Sequence, residues 1–265
     1  MPKQKGQDKS AKKKKVLTPA EQQKKWDAMV ERLKKEAQIE SSRRKVPRRG
    51  KKVLTTTTTF GIVGHHYTGK EYLGKNHGTI HKAIGDTVMT DLVSNKKVTG
   101  VSTNCDQALT NASKKQDDKD YIEHFEDSDG RTVVAIGRIA PDPEPDKKAT
   151  TPDPKGGINT IVDDRGHLLP EKGVSANAVN EANKTKNVVA ENWLINQHYK
   201  KAFEDTVKKY AIAHPDKVVM TMHEPHYKTG ELRPYEIVHY VIVDKEVVCA
   251  FTFDNPPDVI ETRAT

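Results

Sequence analysis

Apolar and polar positions alternate most regularly in the last third of the chain. "KVVMTMHEP" (217–225), "YEIVHYVIV" (235–243) and "EVVCAFTF" (246–253) are rich in β-branched and aromatic residues and are separated by short turns. They predict three strands of an antiparallel meander. Upstream, "RTVVAIGRI" (131–139) reads as another strand. Between these strands the period changes. From about Asn196 to Ala213, Tyr199, Phe203, Val207 and Tyr210 recur at three- and four-residue spacing, which puts them on one helical face. His214-Pro215 stops that helix. Strand, charged motif, helix, then strands predicts an α+β fold with an antiparallel sheet.

The N-terminal half is less regular. Residues 1–17 are Lys-rich and of low complexity, a composition that stays disordered. "TPAEQQKKWDAMVERLKKEAQ" predicts a helix, with Thr18 and Glu21 at capping-box spacing and Pro19 in the first turn. Its stripe of Trp26, Met29, Val30, Leu33 and Ala37 fits docking and a solvent-exposed helix equally. "SSRRKVPRRGKK" reads as a linker, with a nuclear-localisation-like or nucleic-acid-binding run as the alternative. In residues 53–119, "VLTTTTTFGIV" has strand composition, "HKAIGDTVMTDLVSNK" predicts a short helix and "KKQDDKD" an exposed loop. "PDPEPDKKATTPDPKGG" (141–157) reads as a Pro-rich surface loop.

Composition restricts the core. Hydrophobic residues make up 34% of the 265 and charged residues 31%, so only part of the chain can pack into an interior. No apolar run approaches the ~18 residues of a membrane span, and no apolar stretch follows the N-terminal charges as in a secretory signal. The expected location is the cytoplasm, or outside the cell by a non-classical or specialised export route. The net charge of +8 is uneven. Residues 1–52 hold 19 Lys or Arg against 6 Asp or Glu, a net of +13, which leaves −5 for the remainder. A basic arm favours polyanions through counterion release; the same charge fits a solvated tail with no ligand. Two distant cysteines, Cys105 and Cys249, are too few for a Cys-rich metal site and read as unpaired thiols.

Two motifs compete for the chemistry. "GHHYTGKE" (64–71) has the G-x-x-x-x-G-K spacing of a phosphate-binding loop, but Glu71 replaces the hydroxyl that would hold Mg²⁺. Gly74, Asn76 and Gly78 also argue against a helix directly after it. His65, His66, His77 and His81 lack the Glu of a H-E-x-x-H site and read as surface histidines or a weak incidental metal site.

"IVDDRGHLLP" (161–170) is the stronger candidate. Phosphodiester cleavage needs a base near neutral pH, which a neutral His provides. It also needs positive charge on the phosphate, from Arg or a divalent cation. A hard cation takes oxygen ligands, and Asn187, Asn192 and Asn196 crowd the start of the helix. Glu204 lies eight residues beyond Asn196, about 80° around an α-helix and roughly 12 Å along it. Asn196 is therefore the better direct ligand, with Glu204 acting through water or by orienting a neighbour. Taken singly, Asp164 and Gly166 fit a turn, His167 its cap and Asn196 a helix N-cap.

Residues 121–254 resemble the DNA/RNA non-specific endonucleases, a family of ββα-metal (His-Me finger) nucleases. The residues that carry the resemblance are "DRGHLLP" (164–170), "NVVAENWLIN" (187–196) with two asparagines nine apart, and "NQHYKKAFE" (196–204). "FEDSDGRTVVAIGRI" is similar to the family's opening strand pair; "GELRPYEIVHYVI" and "AFTFDN" are similar to the closing strands of bacterial toxin-type members. The resemblance implies a Mg²⁺-dependent endonuclease (Mn²⁺ as an alternative ion) cutting DNA, and RNA as a second substrate, with little sequence preference. It implies His167 as general base and Asn196 as the single protein ligand of the metal. A water on the metal would protonate the leaving oxygen and leave 5′-phosphate ends. Arg165 would stabilise the transition state, Asn187 support the site and Glu204 order the metal's waters, while Asp164 anchors the motif. The family's further phosphate-contacting Arg has Arg138 and Arg131 as candidates. Ala190 and Glu191 stand where the family often has Pro and Gln, and Glu191 could add a carboxylate near the metal. The division expected is a basic tail over 1–52, a segment of unassigned role over 53–119 and a nuclease domain over 120–257. A toxin role would add an immunity protein as partner. The alternative is an inactive nucleic-acid-binding protein on the same fold.

Overall fold

The computed structural model describes residues 58–59, 62–71, 74–99, 101–140 and 151–258. The basic tail, its helix and the linker expected over residues 1–52 lie outside the described residues, as do residues 141–150 of the Pro-rich loop. In chain order the strands are β1 (Thr58–Thr59), β2 (Ile62–Val63), β3 (His65–Tyr67), β4 (Ile122–Glu126), β5 (Thr132–Arg138), β6 (Asp163–His167), β7 (Val188–Asn192), β8 (Val219–Tyr227), β9 (Pro234–Val243) and β10 (Glu246–Asp254). The helices are α1 (His77–Ser94), α2 (Thr103–Ser113), α3 (Val179–Ala182) and α4 (Lys201–Ala213).

The predicted meander forms. β8, β9 and β10 are antiparallel neighbours in a six-stranded sheet of order β3-β10-β9-β8-β5-β4. Asp244 and Lys245, both at positive φ, make the tight turn between β9 and β10, as two-residue hairpins require. β3 joins the edge in parallel with β10, and Gly64 permits it, since a Cβ there would lie 2.7 Å from the Ala250 carbonyl oxygen.

Period-two alternation gives this sheet two apolar faces. Met220, Met222, Val238 and Tyr240 pack with Cys105, Ala108 and Ala112 of α2. On the other face, Val241, Phe251 and Phe253 pack with Ile80, Ile84, Val88 and Leu92 of α1 and with Tyr199, Phe203 and Val207. The stripe read on one face of the second helix, Tyr199 to Tyr210, is therefore buried. Both cysteines are free thiols in these layers.

Three local expectations change. α1 begins at His77, before the predicted start, because the Asn76 side chain accepts a hydrogen bond from Thr79 N and caps the helix. Gly78 then sits harmlessly in its first turn. α2 was not legible, since its buried positions are only Cys105, Ala108 and Ala112 in a polar sequence. Its small side chains let the helix lie close to the sheet. Finally, the charged "DDRGH" is itself strand β6, where Asp164 and Gly166 suited a turn. β6 pairs antiparallel with β7, with Gly166 opposite Val189 and His167 opposite Val188. A π-helical turn, Ile195–Lys200, then leads into α4. β6, β7 and α4 thus form a ββα unit on the larger sheet. No helix among the described residues is long and apolar enough to cross a membrane.

Candidate active site

His167, at the end of β6, is half-buried, and its Nε2 lies 3.1 Å from Asn183 Oδ1. The amide's orientation follows from its other end, where Nδ2 donates to the Val179 carbonyl at 3.0 Å. Asn183 therefore presents an acceptor, which places the proton of a neutral imidazole on Nε2 and leaves Nδ1 with the lone pair. Burial lowers the imidazole's pKa below its ordinary value, against the Asn183 hydrogen bond and with help from the Lys200 charge. The ring is thus a neutral base near pH 7. Sequence reasoning missed Asn183, which was one unremarkable member of an Asn-rich stretch.

Arg165, His167, Asn196 and Glu204 line one cavity of about 300 Å³, with Lys201, Lys208 and Thr221 among its other walls. Asn196 does not cap a helix; it lies inside the π turn. A π turn absorbs one extra residue, so the eight-residue step to Glu204 behaves like seven α positions, roughly 20° from alignment. This is how two side chains expected about 80° apart reach the same cavity. Neither has a hydrogen-bond partner among the described residues. Burial pushes the Glu204 carboxyl up to about 7, with Glu191 adding repulsion and Lys200 opposing both. An amide oxygen and a half-buried carboxylate, both unengaged, suit a hard dication. Arg165 is exposed and pairs at 2.7 Å with exposed Asp153, a contact worth ~0–1 kcal/mol that a phosphate can displace.

Asn187 is fully buried and does not line this cavity. Its side chain bonds Leu169 N at 3.0 Å, Leu169 O at 2.9 Å, Ala182 O at 2.7 Å and His124 Nε2 at 3.0 Å. It pins the chain just after His167. Asp164 accepts from Gln197 Nε2 at 2.7 Å, which ties β6 to the π turn. Asp163, for which the sequence offered no role, is buried and bound through Nε and Nη2 of Arg233. Arg233 also reaches Asn255, whose Oδ1 accepts from Asn192 N at 2.7 Å. This network fastens the ββα unit to the strand ends of β9 and β10.

Neither candidate for the additional phosphate-contacting arginine reaches the cavity. Arg138 shares the α2 face of β5 with Val134 and Ile136 and donates to the Lys217 carbonyl at 3.5 Å. Arg131 is held by Asp127 and Asp129 and stacks on Tyr227. It lines a separate cavity of about 600 Å³ with Lys155, Lys184, Lys186 and Asn183. The two cavities meet at the His167–Asn183 hydrogen bond.

Glu191 does not join the metal side either. It is fully buried and pairs with Lys200 Nζ at 2.6 Å, with Lys200 itself 1% exposed. Gly166 makes room for this pair. An added Cβ would lie 2.1 Å from Glu191 Oε2 and 2.7 Å from its Cβ. The glycine serves close packing between β6 and β7, where the sequence suggested a bend. Gly166→Ala should cost ~1–3 kcal/mol by overpacking. At ~2–4 °C per kcal/mol for a domain of this size, a thermal melt should show a clear drop in Tm; an unchanged Tm would mean that Glu191 yields freely.

A family model described as DNA/RNA non-specific endonuclease matches residues 77–250 of this chain, more than half of it. The match takes in α1 and α2 as well as strands β4 to β9 and the first half of β10. No curated protein matches. Among solved structures, NucA from Streptococcus agalactiae without metal is 17% identical over 51% of this chain and 70% of that one, with a TM-score of 0.40. Sda1 nuclease with bound zinc ion is 14% identical over 51% and 74%, also at 0.40. An extracellular endonuclease is 16% identical over 54% and 82%, again at 0.40.

Proposed function

The chain belongs to the DNA/RNA non-specific endonuclease family, and on that premise we propose that it hydrolyses phosphodiester bonds in DNA and RNA with Mg²⁺ at the cavity of His167. The observation that carries this reading is that a base, an arginine and two unengaged oxygen ligands line a single cavity. His167 Nδ1 takes the proton of the attacking water. Asn183 acts as a positioning residue by holding that tautomer. Arg165 leaves Asp153 and bonds the phosphate oxygens, where its charge is worth most as negative charge develops. Asn196 would hold the cation through its amide oxygen, and Glu204 would act on it from the outer shell. Bound there, the cation supplies Lewis-acid charge against the phosphate and the leaving oxygen. Mn²⁺ suits the same donors.

Lys201 and Lys208 on this cavity, and Lys155, Lys184 and Lys186 on its neighbour, offer backbone contacts. Such contacts carry no base information, which supports cleavage with little sequence preference. A toxin role with an immunity protein rests on the likeness of "GELRPYEIVHYVI" and "AFTFDN" to toxin-type members.

Purified protein should nick and then linearise supercoiled plasmid in Mg²⁺, degrade RNA under the same conditions, and stop on addition of EDTA. Retention of plasmid on a gel with no cutting in Mg²⁺ or Mn²⁺ would overturn the reading in favour of an inactive binding protein.

A further inference from the structure

A second group of metal-ligating side chains lies on the sheet face that carries α2, away from the cavity. Strand register puts His226 of β8 opposite Glu236 of β9, and Glu236 opposite Asp254 of β10. His66 comes from β3, the edge strand paired with β10. Glu236 lies two residues from Val238 and Asp254 four from Ala250, so both continue the α2 face beyond its apolar part. His66 Nε2 lies 2.5 Å from Asp254 Oδ1. One donor atom from each of His66, Glu236 and Asp254 lies within 4.8 Å of the others. The Glu236 side chain is 7% exposed, His66 20% and Asp254 35%. The group is thus walled by protein with one side open to solvent.

We propose that His66, Glu236 and Asp254 form a second divalent-metal site, of the zinc class, separate from the cavity of Asn196. An imidazole with two carboxylates selects zinc and its transition-metal neighbours over Mg²⁺, which takes oxygen ligands alone. Three protein ligands plus water complete a tetrahedral shell. Around zinc, with bonds of ~2.0–2.1 Å, ligand atoms sit about 3.3 Å apart. The His66–Asp254 pair opens to that separation and Glu236 closes to it by rotamer adjustment. On binding, His66 Nε2 gives up its proton to solvent and coordinates through the lone pair. His226, whose Nδ1 lies 2.9 Å from Glu236 Oε1, orients Glu236 as outer-shell partners do. The three ligands come from three strands, so the ion fastens β3 to the sheet. The segment "GHHYTGKE", unsuited to phosphate, thereby acquires a role through His66.

The test uses metal-free, full-length protein titrated with Co²⁺ and then Zn²⁺ in excess Mg²⁺, followed by visible absorption and calorimetry. Wild type and Asn196→Ala should both show visible Co²⁺ bands that Zn²⁺ displaces. His66→Ala and Asp254→Asn should lose them, with affinity down at least about tenfold. His66→Gln, which can keep a hydrogen bond to Asp254, separates loss of a ligand from loss of the strand. It should melt like wild type without zinc but miss the rise in Tm that zinc gives wild type. Unchanged affinity in both His66→Ala and Asp254→Asn would overturn the site, as would absence of Co²⁺ and Zn²⁺ binding to Asn196→Ala. The row would then be two histidine–carboxylate pairs and nothing more.

Discussion

His167→Ala should lower the rate of plasmid cleavage by about 10²–10⁴-fold at neutral pH, the usual worth of a positioned general base, while the protein still folds. The size follows from the chemistry. Without the imidazole, Arg165, Asn196 and Glu204 still line the cavity, so on the proposed roles substrate binding and charge stabilisation should persist and only proton removal from water should be lost. The folding cost should be small, because His167 is half-buried at the cavity wall and, among the described residues, its side chain has one hydrogen bond, to Asn183. Initial rates at saturating Mg²⁺, read beside a thermal melt, check both parts. A variant that cuts at the wild-type rate would place the base elsewhere.

Lys200→Met should destabilise the protein by ~3–5 kcal/mol, the cost of stranding one partner of a buried ion pair. Glu191 is fully buried, and with Lys200 gone its carboxylate would keep no ion-pair partner while the Glu204 and Asp164 carboxylates still repel it. The double variant Lys200→Met/Glu191→Gln should recover much of that loss, since a buried pair contributes little more than uncharged packing of similar volume. Urea unfolding of the single and double variants measures the difference. A single variant within ~1 kcal/mol of wild type would show that the pair is not the structural element described. The pair also lies beneath the site: Lys200 ends the π turn that carries Asn196.

Much of this was legible from local pattern. The meander, the buried helix stripe and the order of His167, Asn196 and Glu204 follow from periodicity and spacing, which are properties of neighbouring residues. What was not legible depends on contacts between distant segments. Asn183 became significant only when α3 brought it against His167. Glu191 read as an extra carboxylate near the metal and Lys200 carried no reading, and only pairing across β7 and the π turn buries them together. Arg131 and Arg138 looked alike as candidates until strand parity sent one to the α2 face and Asp127 claimed the other. The π turn has no sequence signature of its own, yet it corrects the angular argument about Asn196 and Glu204. Gly166 had the right identity and the wrong reason, since its need arises from Glu191 across the strand pair.

Anomalous scattering from a crystal soaked in Mn²⁺ tests the central claim most directly. A peak bonded to Asn196 Oδ1 and facing Glu204 in the His167 cavity is the predicted result. Its absence there, in protein that still cuts DNA with Mn²⁺, would contradict the assignment of this cavity as the site of cleavage.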